Sequence, residues 1–100
     1  MNLEVLHIVD CPNWEEAGAR VSRALASLGR SESVTYRLIN SPEEATSSGF
    51  GGSPTITLDG TDLFPGEQTA DLACRVYITP AGLAGLPTQQ QVSDALAAAL

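Results

Sequence analysis

One hundred residues, 43% of them hydrophobic, can enclose one core and are too few for two, so residues 1–100 read as a single domain. Twelve Asp and Glu stand against five Arg and no Lys, a formal net charge of -7 with no basic cluster to neutralise phosphates, which argues against a nucleic-acid partner. No apolar run approaches the roughly 20 residues that span a bilayer, and Glu4 sits where a targeting segment would be basic, so a soluble, cytoplasmic chain with no membrane partner is expected.

The stretch Leu3 to Val9 is almost continuously apolar, bounded by Asp10 and Pro12, and suits a central strand covered on both faces. Trp14, Ala17, Val21, Ala24, Leu25 and Leu28 then recur at helical spacing, and Gly29 supplies the stop. Pro12 fits the first helical position, which puts Cys11 at the N-cap. Val34 to Ile39 alternates apolar and polar residues and reads as a second strand; reached through a helix, it should lie parallel to the first by a right-handed crossover. Ser41, Pro42 and Glu44 announce a short helix with Ser41 as N-cap. Gly49, Gly51 and Gly52 end it and deliver the chain extended to Ser53-Pro54. Thr55 to Leu58 and Thr61 to Phe64 flank Asp59-Gly60, the dipeptide of a type I′ hairpin. From Pro65 to Pro87 the pattern is irregular and predicts mostly loop, with a short ordered piece at Leu72 to Ile78. Thr88 and Gln91 form a capping box ahead of a closing helix.

The fold class expected is therefore α/β, in the order β-α-β-(short α)-β-β-α, with a mixed four-stranded sheet. That order, together with Cys11-Pro12 after the first strand and Gly52-Ser53-Pro54-Thr55 before the third, resembles the thioredoxin superfamily, in particular its small bacterial glutaredoxin-like and thioredoxin-like members. The resemblance covers nearly the whole chain and implies a thioredoxin-like fold in which the Ser53-Pro54 bond is cis, packed beside Cys11. It also implies that a partner peptide lies antiparallel against Ser53. Trp14 occupies the position of the second cysteine of a Cys-x-x-Cys motif, so a disulfide within the motif is impossible.

Two cysteines in a reducing compartment are better read as reactive or metal-binding than as a staple. A helix start favours the Cys11 thiolate through its dipole and free amides, while the neighbouring carboxylate of Asp10 opposes it. The third strand begins beside Cys11 and the fourth returns to the same end, so the loop after Phe64 can carry Cys74 to Cys11. Three readings stay open. In the first, the chain is a thiol-disulfide oxidoreductase without cofactor: Cys11 attacks, Cys74 resolves, and Pro12, Trp14, Ser53 and Pro54 receive a thiol- or disulfide-bearing protein or a small thiol. In the second, the two thiols hold a soft metal or an organomercurial, a strategy resembling that of alkylmercury lyases, with Asp10 as proton donor. In the third, the fold is a scaffold and both cysteines are packing. Arg75 is either a solvated surface residue or a partner for a thiolate or anion. His7 lies about 10 Å along the strand from Cys11 and is not expected to act as a base.

Overall fold

A computed structural model describes residues 1–66 and 71–100. The N-terminal apolar run forms β1 (Leu3–His7), which pairs in parallel with β2 (Val34–Leu38), Leu3 opposite Val34 and His7 opposite Leu38. On its other side β1 pairs antiparallel with β3 (Thr55–Leu58), Leu6 opposite Thr55, and β3 pairs antiparallel with the short β4 (Thr61–Asp62). The sheet order is β2-β1-β3-β4, and α1 (Trp14–Ser27), α2 (Pro42–Ser48) and α3 (Gln89–Ala99) complete a mixed α/β architecture.

Side chains alternate across β1, so the strand feeds two cores. Leu3 packs with Val21, Ala24 and Leu25 of α1 and Val92 and Leu96 of α3. Leu6 and Ile8 point to the opposite face and pack with Cys11, Ile39, Ala45 and Phe50. Each fully buried aliphatic or aromatic side chain here contributes about 1.5–3 kcal/mol by leaving water. The capping residues perform as their chemistry dictates: Ser41 Oγ accepts the Glu44 amide at 3.2 Å, and Thr88 and Gln91 close a reciprocal box at 2.8 and 3.1 Å. Asp59 and Gly60 have φ of 51° and 84°, the two positive values a type I′ turn needs.

Four expectations need correction. The first strand ends at His7 rather than Val9, because the chain leaves the ladder there and the Ile8 amide turns to the Ser53 side chain. The first helix begins at Trp14 with Asn13 as N-cap, so Cys11 is not the cap and Pro12 is not helical. Burying Cys11 among Leu6, Ile8 and Phe50 forces a further turn before the helix axis can start. The fourth strand stops at Asp62, whose side chain caps the Phe64 amide at 2.9 Å and bends the chain away from the ladder. Finally, the stretch expected as loop contains a second two-stranded sheet, β5 (Tyr77–Thr79) against β6 (Gly82–Ala84). Its turn is tied by Thr79 Oγ1, which donates to the Gly82 carbonyl at 2.6 Å and accepts the Ala81 amide at 3.3 Å. The part of the loop expectation that falls on residues 67–70 lies outside the described residues.

Candidate thiol site

The end of β1, the start of β3 and the segment before β5 meet around Ser53. Cys11, in the turn after β1, is 1% exposed. Its thiol donates to the Ser53 carbonyl at 3.3 Å, and the Ser53 hydroxyl oxygen accepts the buried Ile8 amide at 3.1 Å. The Ser53-Pro54 bond is cis, and Gly52 before it has a φ of 108°, a conformation that favours glycine.

Cys74 arrives at the same residue by backbone pairing. Ser53 donates its amide to the Ala73 carbonyl at 2.8 Å and accepts the Arg75 amide at 2.8 Å, an isolated parallel bridge with Cys74 at its centre. Along this segment the side chains alternate: Arg75 and Tyr77 turn inward, while Cys74, Val76 and Ile78 are exposed. The inward pair anchors the segment. Arg75 reaches Asp62 Oδ2 at 2.7 Å and donates to the Phe64 carbonyl, and its guanidinium lies 4.6 Å from the centre of the Tyr77 ring. The Tyr77 hydroxyl donates to the Pro54 carbonyl, and its ring meets Phe64 edge to face at 5.6 Å. Burial pushes the Tyr77 phenol well above its ordinary value, so it stays a donor.

The two thiols are free, and they lie close enough for each to displace the pKa of the other. Burial pushes the Cys11 thiol up, but hydrogen bonds to its sulfur from Cys74, the Asn13 amide and the Ser53 side chain outweigh it, and the thiol ends below its ordinary value. Cys74 moves the other way, first because it gives its hydrogen to Cys11, then through desolvation and the negative charges of Cys11 and Asp10. The helix start thus reaches Cys11 through one amide, from Asn13 at the N-cap, rather than through a cap position of its own.

Of the residues singled out in the sequence, Cys11, Cys74, Ser53 and Pro54 converge. Pro12 is exposed on the turn between Cys11 and α1. Trp14 stacks on His7 with ring centres 4.6 Å apart and meets Tyr36 edge to face at 5.3 Å. His7 is thereby committed to an aromatic stack on the α1 face. Arg75 pairs with Asp62 instead of a thiolate. Asp62 and Tyr77 escaped the sequence reading; the alternation from Cys74 to Ile78 was the signal that could have assigned Arg75 and Tyr77 to the inward face. Among the described residues no group of three or more His, Cys, Asp and Glu is placed to hold a metal ion, and no helix is long and apolar enough to cross a membrane. Comparison with family models, with curated proteins and with solved structures gives no match.

Proposed function

We propose that this chain performs thiol-disulfide exchange on a thioredoxin-like frame, cycling between a reduced Cys11 and Cys74 pair and a disulfide between them. The observation that carries the reading is the Ser53 clamp: two backbone hydrogen bonds of 2.8 Å seat Cys74 opposite Ser53, and the carbonyl of the same Ser53 accepts the Cys11 thiol at 3.3 Å. A pair of cysteines serving only as packing has no need of this arrangement, nor of opposite pKa displacements within it. The parallel β1-α1-β2 unit, the antiparallel β3-β4 return and the Cys11 turn facing Ser53-Pro54 support the thioredoxin-like frame.

The chemistry balances as two successive displacements. A thiolate of the pair attacks a partner disulfide, one partner thiolate leaves, and a mixed disulfide forms; the second cysteine then attacks the protein sulfur and expels the other partner thiolate. Two electrons pass to the partner, whose thiolates take up the protons released by the pair. Run in reverse, the same steps oxidise a partner dithiol. An extended peptide adding to the backbone of Ser53 would have to displace the chain's own Ala73–Arg75 segment, since both polar groups of Ser53 are already used. A small thiol or disulfide meets no such competition.

Mild oxidation of the reduced, metal-free protein tests the proposal. The expected result is a monomer that has lost both thiols and the two thiol hydrogens together. Two persistent, unlinked thiols would leave the scaffold reading. Metal carried through purification, and lost when either cysteine is changed, would favour two-thiolate capture of a soft ion instead.

A further inference from the structure

The two sulfurs of the pair are unequally open to solvent, and this asymmetry deepens the exchange reading on which it rests. Cys11 is 1% exposed and is walled by Leu6, Ile8, Ile39, Ala45 and Phe50. Cys74 is exposed, on the outward side of a segment whose inward residues are pinned by Asp62, Phe64 and Pro54. Displacement at sulfur requires the nucleophile to reach the attacked atom from the side opposite the leaving sulfur. To attack Cys11 in the oxidised pair, a partner would have to come through the Leu6, Ile39 and Phe50 wall. To attack Cys74 it comes from water.

We infer that exchange enters and leaves through Cys74, and that Cys11 is the buried sulfur that departs when the disulfide opens and attacks when it closes. This reverses the order expected from sequence, in which Cys11 attacks first. In the oxidising direction a partner thiolate bonds to Cys74 Sγ, the bond between Cys74 and Cys11 breaks, and the electron pair leaves with Cys11. A second partner thiolate then attacks the partner sulfur of the mixed disulfide and releases Cys74, so that the partner loses two electrons and the pair gains them. Cys11 is equipped for departure, because the Asn13 amide and the Ser53 side chain favour its thiolate without Cys74, which at that step carries the partner sulfur and has no hydrogen to give. Asp10, which raises the Cys74 thiol, also places negative charge beside the entry sulfur. A neutral or cationic disulfide should therefore exchange faster than an anionic one.

The test uses single-cysteine chains and the neutral probe hydroxyethyl disulfide. Cys11→Ala leaves Cys74 alone, and Cys74→Ser keeps the cover over Cys11 by conserving size. Rates of mixed-disulfide formation are followed to the high-pH plateau, where both sulfurs are thiolates and the ratio reads access rather than ionisation. Cys74 is expected to react about tenfold faster or more. In wild type, brief alkylation followed by peptide mapping should label Cys74 first, a result that does not depend on either variant folding. Equal rates, or faster reaction at Cys11, would overturn the order while leaving the exchange reading intact, provided that wild type still closes its disulfide. A wild-type protein that neither closes nor exchanges would overturn both.

Discussion

Arg75 Nη1 stands 2.7 Å from Asp62 Oδ2, with only 12% of the arginine side chain and 17% of the aspartate side chain exposed. The pair joins the end of β4 to the segment that carries Cys74, so a residue at the sheet edge fixes a thiol that belongs to no strand of that sheet. Asp62 also accepts the Phe64 amide at 2.9 Å through its other oxygen.

Asp62→Ala therefore strips a mostly buried guanidinium of its carboxylate and frees the Phe64 amide. The expected cost is about 2–4 kcal/mol, between that of a surface pair and a fully buried one. Urea unfolding reads the loss directly. Closure of the disulfide between Cys11 and Cys74 should slow in the same variant, because the segment is less often seated. Unchanged closure with lowered stability would show that the Ser53 bridge holds Cys74 without help from Arg75.

Gly52→Ala attacks the same seat from the other side. A Cβ at position 52 would lie 2.8 Å from Arg75 Cβ and 3.1 Å from its backbone Cα, and the φ of 108° is one that a side chain rarely adopts. Backbone cannot yield as a flexible side-chain tip can, so Ala73 to Arg75 must move off Ser53. The cost should be about 1–3 kcal/mol, with slower disulfide closure. A mild oxidation time course beside wild type measures the second effect, and closure at the wild-type rate would count against the clamp.

Much of this arrangement was legible in the residues because the signals were local. The capping pairs Ser41/Glu44 and Thr88/Gln91, the Asp59-Gly60 turn and the helical spacing from Trp14 to Leu25 each rest on contacts within a few residues, which is where sequence patterns are informative. The meeting of Cys11 and Cys74 was reachable only through topology, by asking at which end of the sheet β4 finishes. What stayed hidden was non-local or too short. The Ser53 bridge, the Arg75 and Asp62 pair and the Tyr77 hydroxyl bond to Pro54 leave no periodic trace, and strands of three residues such as β5 and β6 fall below what alternation can reveal. Proline's preference for a first helical turn points to Pro12 as the start of α1, but Cys11 packs into the core and the helix starts at Trp14.

The opposite displacements of the two thiols give a pH signature. Cys11 has a folded pKa below its unfolded one, so between the two values the unfolded chain binds more protons at this site and stability rises with pH. That contribution is complete above the ordinary cysteine value of about 8.5 and is lost as pH falls through the lowered folded value. Cys74 has a raised folded pKa, so its contribution is complete below the unfolded value and is lost as pH rises through the folded one. The reduced protein should therefore show stability climbing through the window just below the ordinary cysteine pKa and falling beyond it. Chemical unfolding at a series of pH values, repeated with Cys11→Ala, reads both effects together, since the variant removes the Cys11 titration and the main cause of the raised Cys74 value, and a climb that persists unchanged in the variant would assign it to other groups.

Ser53→Ala separates the side chain of Ser53 from its backbone. The hydroxyl accepts the buried Ile8 amide at 3.1 Å and helps to lower the Cys11 thiol, whereas the clamp on Ala73 and Arg75 is made by main-chain atoms that the substitution retains. Losing the hydroxyl leaves the Ile8 donor without that acceptor, at a cost of about 1–3 kcal/mol. Without the lowering effect of the hydroxyl, the Cys11 thiol should titrate higher, nearer its ordinary value, as followed by ultraviolet thiolate absorbance of the reduced protein. Disulfide closure should persist at high pH, where ionisation no longer limits it, and should slow at neutral pH, where the thiolate fraction has fallen. Gly52→Ala, by contrast, should slow closure at every pH, because it moves the segment rather than the pKa. Loss of closure at all pH values in Ser53→Ala as well would mean that the hydroxyl itself, and not the backbone bridge, keeps the two sulfurs together.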